Sequence, residues 1–270
     1  MSTATPTATA TSPATKAPVA NLKITWPLLP EDFILPDDPV ENTAQPLLAA
    51  ALRQPLTAFP ELMQDALVVS NFALCAAIQD RTICKAPDWM YVRPVQPWQR
   101  SETRRSYTPH TEGVVPQVVM EFLSATYREE YSVEFKQSVG KWFFYEQVIQ
   151  VPHYVIFRPD TGHVEVYALA EGRYQIQAAD ASERYWIAGL GLFLGVWEGS
   201  HEGRTGYWLR WWNADGELLL WSEERTEQER QRAEQERQRA EQERQRAEQE
   251  RQRAEALAER LRQLGVEPEA

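Results

Sequence analysis

The chain has 270 residues, is 43% hydrophobic and 11% aromatic, and carries a formal charge of −11, a composition that suits one folded domain with appendages. That acidity counts against tight non-specific nucleic-acid binding, which needs basic surface, but not against a metal site built from carboxylates. No apolar run is long enough to span a bilayer. Cys75 and Cys84, with no CxxC pair, suggest neither a disulfide framework nor a zinc site but a reduced, cytoplasmic setting.

Residues 1–22 open on a Thr/Ala/Pro-rich stretch with a single charge in its first twenty residues, which reads as a disordered lead. It has neither the apolar core of a signal peptide nor the arginines of a transit peptide. From Asp37 and Asp38, two capping candidates before Pro39, an apolar face predicts a helix. Pro46 and Pro55 make it short, kinked or two pieces. Residues 66–78, ALVVSNFALCAAI, read as one strand, and APDWMYV (86–92) as a second. Residues 93–116 hold four prolines and four arginines and read as a long loop.

VVMEFLS (118–124) reads as the next strand, with Val119, Glu121 and Leu123 on one face. A lone buried carboxylate is costly, so either this strand is half exposed or Glu121 has a partner. Residues 135–149 have helical spacing, and HYVIFRPDTGHVEVYAL is a hairpin about a Pro-Asp-Thr-Gly turn. RYQIQ (173–177), LFLGVW (192–197), YWLRWW (207–212) and ELLLW (217–221) follow as strands, the last two joined by a turn at Asn213–Gly216. Six of the ten tryptophans lie between Trp186 and Trp221, and sheet packing explains them better than a ligand platform.

From Glu227 the heptad EQERQRA repeats four times, with Arg230–Glu234 and Arg232–Glu236 as i,i+4 pairs. Only Ala recurs at period seven, so the tail reads as a solvated single helix or a weak coiled coil. The predicted organisation is a lead (1–22), a globular domain (23–222) and a charged helical tail (223–270).

Asp88, after Pro87 at a strand start, and Glu121, mid-strand across the long loop, are placed to share one hard cation if their strands are neighbours. Mg²⁺, or Mn²⁺, takes oxygen ligands and keeps several waters. Lys141 starts the next helix, where it can point back toward the strand ends. Two carboxylates, a metal and an ammonium are the parts of a phosphodiester-hydrolysis site. Singly, each residue has a structural explanation: a turn, a water-facing glutamate, a solvated lysine. His110, His153, His163 and His201 lack metal-ligand spacing.

The order PD, then Glu in an apolar strand, then a helical Lys resembles the PD-(D/E)XK nuclease superfamily. More closely, the chain resembles the Uma-type endonuclease family, abundant in cyanobacteria. The likeness is carried by VENTAQ (40–45), APDWMYV (86–92), VVMEFLS (118–124), GKWFFYEQ (140–147), VPHYVIFRPDTG (151–162) and RTGYWLRWW (204–212). It implies a restriction-endonuclease-like α/β fold, a mixed sheet flanked by helices, and a divalent metal held by Asp88 and Glu121. Lys141 replaces the lysine usually found two residues after the glutamate, where this chain has Leu123; Lys136 is its rival. Glu41, on the first helix, is where such folds often add a carboxylate. The chain has Arg158 where family members often carry Asp before the proline.

DNA contact falls to the long loop, where Arg93, Arg100, Arg104 and Arg105 interleave with Trp98 and Tyr107. A solvated loop is the competing reading. The expected protein is a metal-dependent endonuclease working as a homodimer. The alternatives are a catalytically silent module with a nuclease-like fold, acting through its tail, and a structural coiled-coil protein.

Overall fold

The computed structural model describes residues 23–28, 30, 43–100, 103–123 and 139–263. The chain divides into two compact units, Met1–Leu218 and Leu219–Ala270. The first is a mixed α+β unit of several sheets; the second is dominated by one long helix.

The first unit is built on a six-stranded sheet. Its spatial order is β10 (Arg173–Ile176), β9 (His163–Ala170), β8 (His153–Arg158), β7 (Val118–Phe122), β5 (Trp89–Val92) and β2 (Leu67–Val69). Only β7 and β8 run parallel; the other neighbours are antiparallel. A parallel pair needs a crossover. Its described part is helix α3 (Lys141–Phe143), continuing as a π-helix over Phe144–Ile149.

A second sheet joins β3 (Ala73–Ile78) to β4 (Arg81–Lys85), with β1 (Ile24–Thr25) and β6 (Ser106–Tyr107) also pairing β3. A third orders β11 (Arg184–Ile187), β12 (Leu192–His201) and β13 (Arg204–Trp212).

Alternation along β7 and β5 assigns the faces of the central sheet. Val119, Met90, Val92, Tyr154 and Ile156 join Leu74, Ala76, Tyr145 and Val148 in the main core cluster. One face of the sheet is therefore covered by the π-helix and by β3. On the other face Trp89 meets Trp211 of β13 at 5.9 Å, and the indole N–H of Trp211 donates to the Leu52 carbonyl of α1 (Gln45–Leu56) at 2.9 Å. Burial of these large aromatics is the main stabilising contribution.

The first helix does come in two pieces, α1 and α2 (Pro60–Met63), with Pro46 and Pro60 in first turns. Asp37, Asp38 and Pro39 lie outside the described residues. The single strand expected over 66–78 is two strands in two sheets, broken near Asn71, which has φ of 45°. The polar run RTICK (81–85) is a strand that sequence alternation does not reveal, and β3–β4 is a hairpin as a result.

That hairpin corrects the expectation of reduced thiols. Cys75 and Cys84 stand directly opposite in its register, with Cα atoms 4.2 Å apart, and are joined in a disulfide. The expected strand over 217–221 is reduced to a bridge between Leu218 and Trp212.

The long helix, α4, runs Ser222–Gln263 and buries no side chain. Among the described residues no helix is long and apolar enough to cross a membrane.

Candidate functional site

Asp88 precedes β5, and Glu121 is the penultimate residue of β7. These strands are antiparallel neighbours with Trp89 opposite Met120 and Met90 opposite Val119. One register step further, Asp88 faces Glu121. Glu121, in step with Val119 along β7, projects from the face that carries Met90 and the π-helix. The start of β5 and the end of β7 meet at the same edge of the sheet.

Glu121 is only 1% exposed, and its partners are specific. Lys141 Nζ lies 2.8 Å from Oε2, and the Tyr145 hydroxyl donates to Oε1 at 3.0 Å. Lys141 and Tyr145 are four residues apart, one helical turn, so one helix grips both oxygens of one carboxylate. A buried carboxylate is tolerable only with such partners, which is why a glutamate sits inside an apolar strand. Burial first, then the negative charge of Glu121, pushes the Tyr145 hydroxyl well above its ordinary pKa; Asp88 adds to the rise. Tyr145 therefore stays a donor.

Asp88 is partly exposed. Its Oδ2 accepts the backbone N–H of Phe122 at 2.6 Å and the Gln45 side-chain amide at 3.3 Å. The same amide donates to the Phe122 carbonyl at 3.3 Å, so the first residue of α1 ties the two acid-bearing segments together.

The structure thus brings together Asp88, Glu121 and Lys141. Glu41 and Lys136 lie outside the described residues. Tyr145 and Gln45 are additions that sequence reasoning does not assign. The four-residue spacing from Lys141 is the signal that finds Tyr145; nothing in the sequence points to Gln45.

The Arg-rich loop divides. Arg104 is held inside it: its guanidinium lies over Trp98 at 4.8 Å, donates to the Gln96 carbonyl at 3.0 Å and sits 3.7 Å from the buried Glu112. Arg93 and Arg105 are exposed and Arg100 is half-buried.

The donor set fits a hard cation. Two carboxylates supply oxygen, and each offers about four acceptor directions, more than the two donors named for each. Among the described residues no group of three or more His, Cys, Asp or Glu is placed to hold a metal. Two carboxylates as the protein's share would suit Mg²⁺, an ion that keeps several waters.

A mixed sheet with an acid pair at the edge of its central strands, a lysine on the crossover helix and a long charged helix beyond defines a restriction-endonuclease-like protein of the α+β class. The chain belongs to the Uma2 family, whose model, described as "Putative restriction endonuclease", matches residues 22–197. The match takes in Asp88, Glu121, Lys141 and Tyr145 and leaves α4 outside. Membership points to a nuclease acting on DNA. No curated protein matches the chain.

Proposed function

We propose that the protein is a metal-dependent endonuclease that hydrolyses DNA phosphodiester bonds, with Asp88 and Glu121 holding Mg²⁺ or Mn²⁺. The observation that carries this reading is the convergence of three residues distant in sequence. Asp88, just before β5, accepts the N–H of Phe122, the residue next to Glu121, at 2.6 Å, and Lys141 Nζ sits 2.8 Å from Glu121. A divalent ion held there supplies Lewis acidity toward a phosphate oxygen and a lowered pKa for a coordinated water.

The chain's own residues do the positioning. Tyr145 fixes the rotamer of Glu121 and keeps it an acceptor. The Phe122 amide and Gln45 fix Asp88. Lys141 brings a positive charge to the edge of the site, where negative charge develops on a phosphoryl group under attack. Arg93, Arg100 and Arg105 contact the duplex backbone, and a homodimer presents one site to each strand.

Plasmid nicking with Mg²⁺ or Mn²⁺ tests the assignment. Wild type nicks, while Asp88→Ala and Glu121→Gln abolish nicking and retain the wild-type circular dichroism spectrum. Undiminished nicking by both variants overturns the site.

One observation favours a second reading, a catalytically silent module acting through its helical tail. Both oxygens of Glu121 already have protein donors, which is how a purely structural acid is held. Absence of cleavage of any DNA or RNA across metals at low salt supports that reading.

A further inference from the structure

Arg158 ends β8 and takes no part in the assignments above. Register fixes its face. Glu121 pairs with Ile156 across the parallel β7–β8 ladder, and Phe122 pairs with Phe157. The rings of Phe122 and Phe157 meet at 6.4 Å on the face away from Glu121. Ile156 and Arg158 therefore share the face of Glu121, with Arg158 two residues beyond the Glu121 row. At about 3.3 Å per residue that is about 7 Å along the strand, within reach of an arginine side chain. The position is the carboxyl end of the parallel pair, the end at which open α/β sheets take ligands. The residue is partly exposed.

Its backbone is fixed on both sides. The Arg158 carbonyl accepts the N–H groups of Thr161 (3.3 Å) and Gly162 (2.9 Å). Arg204 donates to the Pro159 carbonyl at 3.0 Å. Gly162 has φ of +72° and lies against the Tyr207 ring, which a Cβ there would meet at 2.8 Å.

We propose that Arg158 binds a backbone phosphate of the polynucleotide strand, adjacent to the phosphodiester held at Asp88 and Glu121. The inference rests on the nuclease reading for its substrate class. A guanidinium matches phosphate oxygens through paired N–H donors, and a fixed strand end leaves only side-chain rotamers to order on binding.

Fluorescence anisotropy with a labelled DNA duplex, in Ca²⁺ and at several salt concentrations, tests it on the full chain. Arg158→Ala lowers affinity about tenfold and reduces the slope of log K against log salt by about 0.9, the loss of one phosphate contact. Arg158→Lys keeps the slope, and equal melting temperatures confirm that both variants fold. Wild-type affinity and slope in Arg158→Ala overturn the proposal. If that result accompanies nicking by wild type, the nuclease reading stands without it. If Arg158→Ala binds more weakly but wild type fails to cleave DNA with every metal tried, the phosphate contact stands and the nuclease reading falls. A wild type that binds no duplex, or that free phosphate displaces at equal concentration, overturns it as well.

Discussion

Glu121 is nearly inaccessible to water and is held by one ammonium and one hydroxyl, and this sets what substitutions there do. Lys141→Ala takes the ammonium from a buried carboxylate that Tyr145 still holds. Losing one partner of a buried pair costs about 3–5 kcal/mol; Lys141 is 23% exposed, so water replaces part of it and the expected loss is nearer the bottom of that range. Tyr145→Phe removes one neutral donor and costs about 1–3 kcal/mol. Urea unfolding measures both, and Glu121→Gln combined with Lys141→Ala recovers part of the loss. A Lys141→Ala variant as stable as wild type shows that Glu121 is protonated or rehydrated. His153, at the start of β8, gives a pH signature. Burial lowers its pKa, partly offset by the Gln117 carbonyl. The unfolded chain then binds more protons between the folded pKa and about 6.5, so stability rises with pH through that window and is lost as pH falls through the folded value. The melting temperature therefore drops from pH 7.5 toward 5, and His153→Gln flattens this part of the profile. Glu112 has the opposite sign: burial raises its pKa, despite the Thr108 N–H and Arg104, so its contribution is present below about 4.3 and is lost as pH rises through the folded value.

Among the elements, β7, β5 and the β8–β9 hairpin were legible because alternation and turn chemistry agree there. The placement of the two acids was legible for the same reason: Glu121 stands on β7 and Asp88 just before β5, and a glutamate inside an apolar run demands a partner. What escaped is pairing that owes nothing to local pattern. Arg81, Thr82 and Lys85 give β4 no apolar face, and β3 orders it through backbone bonds. The β12–β13 hairpin turns at Glu202-Gly203, both at positive φ, within a run that reads as polar loop. The π-helix has no sequence signature, yet it holds Tyr145 and the satisfied Glu146, whose carboxylate accepts from Arg173 and the Tyr174 amide. The disulfide was hidden by the missing strand: nine residues apart, the cysteines meet only if 81–85 turns back on 73–78. Mass spectrometry after alkylation in denaturant checks it. Without reductant no cysteine is modified; after reduction both are. Two modified cysteines without reductant restore the reduced reading, and β3–β4 then holds by its ladder alone.

At the scale of the whole molecule, charge is unevenly shared. The four heptads over 227–254 hold eight Glu and eight Arg and are neutral, so the acidity of −11 belongs to the rest of the chain. α4 spans 42 residues, about 63 Å at 1.5 Å per residue. Its short contacts run from Arg to the Glu three residues earlier, as in Arg230–Glu227, Arg244–Glu241 and Arg251–Glu248, with Gln231, Gln238, Gln245 and Gln252 donating to the Glu four earlier. The expected i,i+4 pattern stands beside them, in Arg251–Glu255 at 3.7 Å and in the Glu234 charge that helps raise the Arg230 pKa; the i,i+3 pairs, with Glu N-terminal to Arg, also complement the helix dipole. Such exposed pairs are screened by salt, and with no buried side chain nothing makes α4 melt as a unit. Helicity at 222 nm, most of which α4 supplies, should fall gradually on heating and decrease as NaCl is raised. The near-ultraviolet tryptophan signal should instead vanish in one sharp, salt-insensitive transition, because α4 contains no tryptophan. If both signals share one midpoint, α4 is packed rather than solvated. A midpoint that rises with protein concentration makes its partner a second copy of the chain and the tail a weak coiled coil.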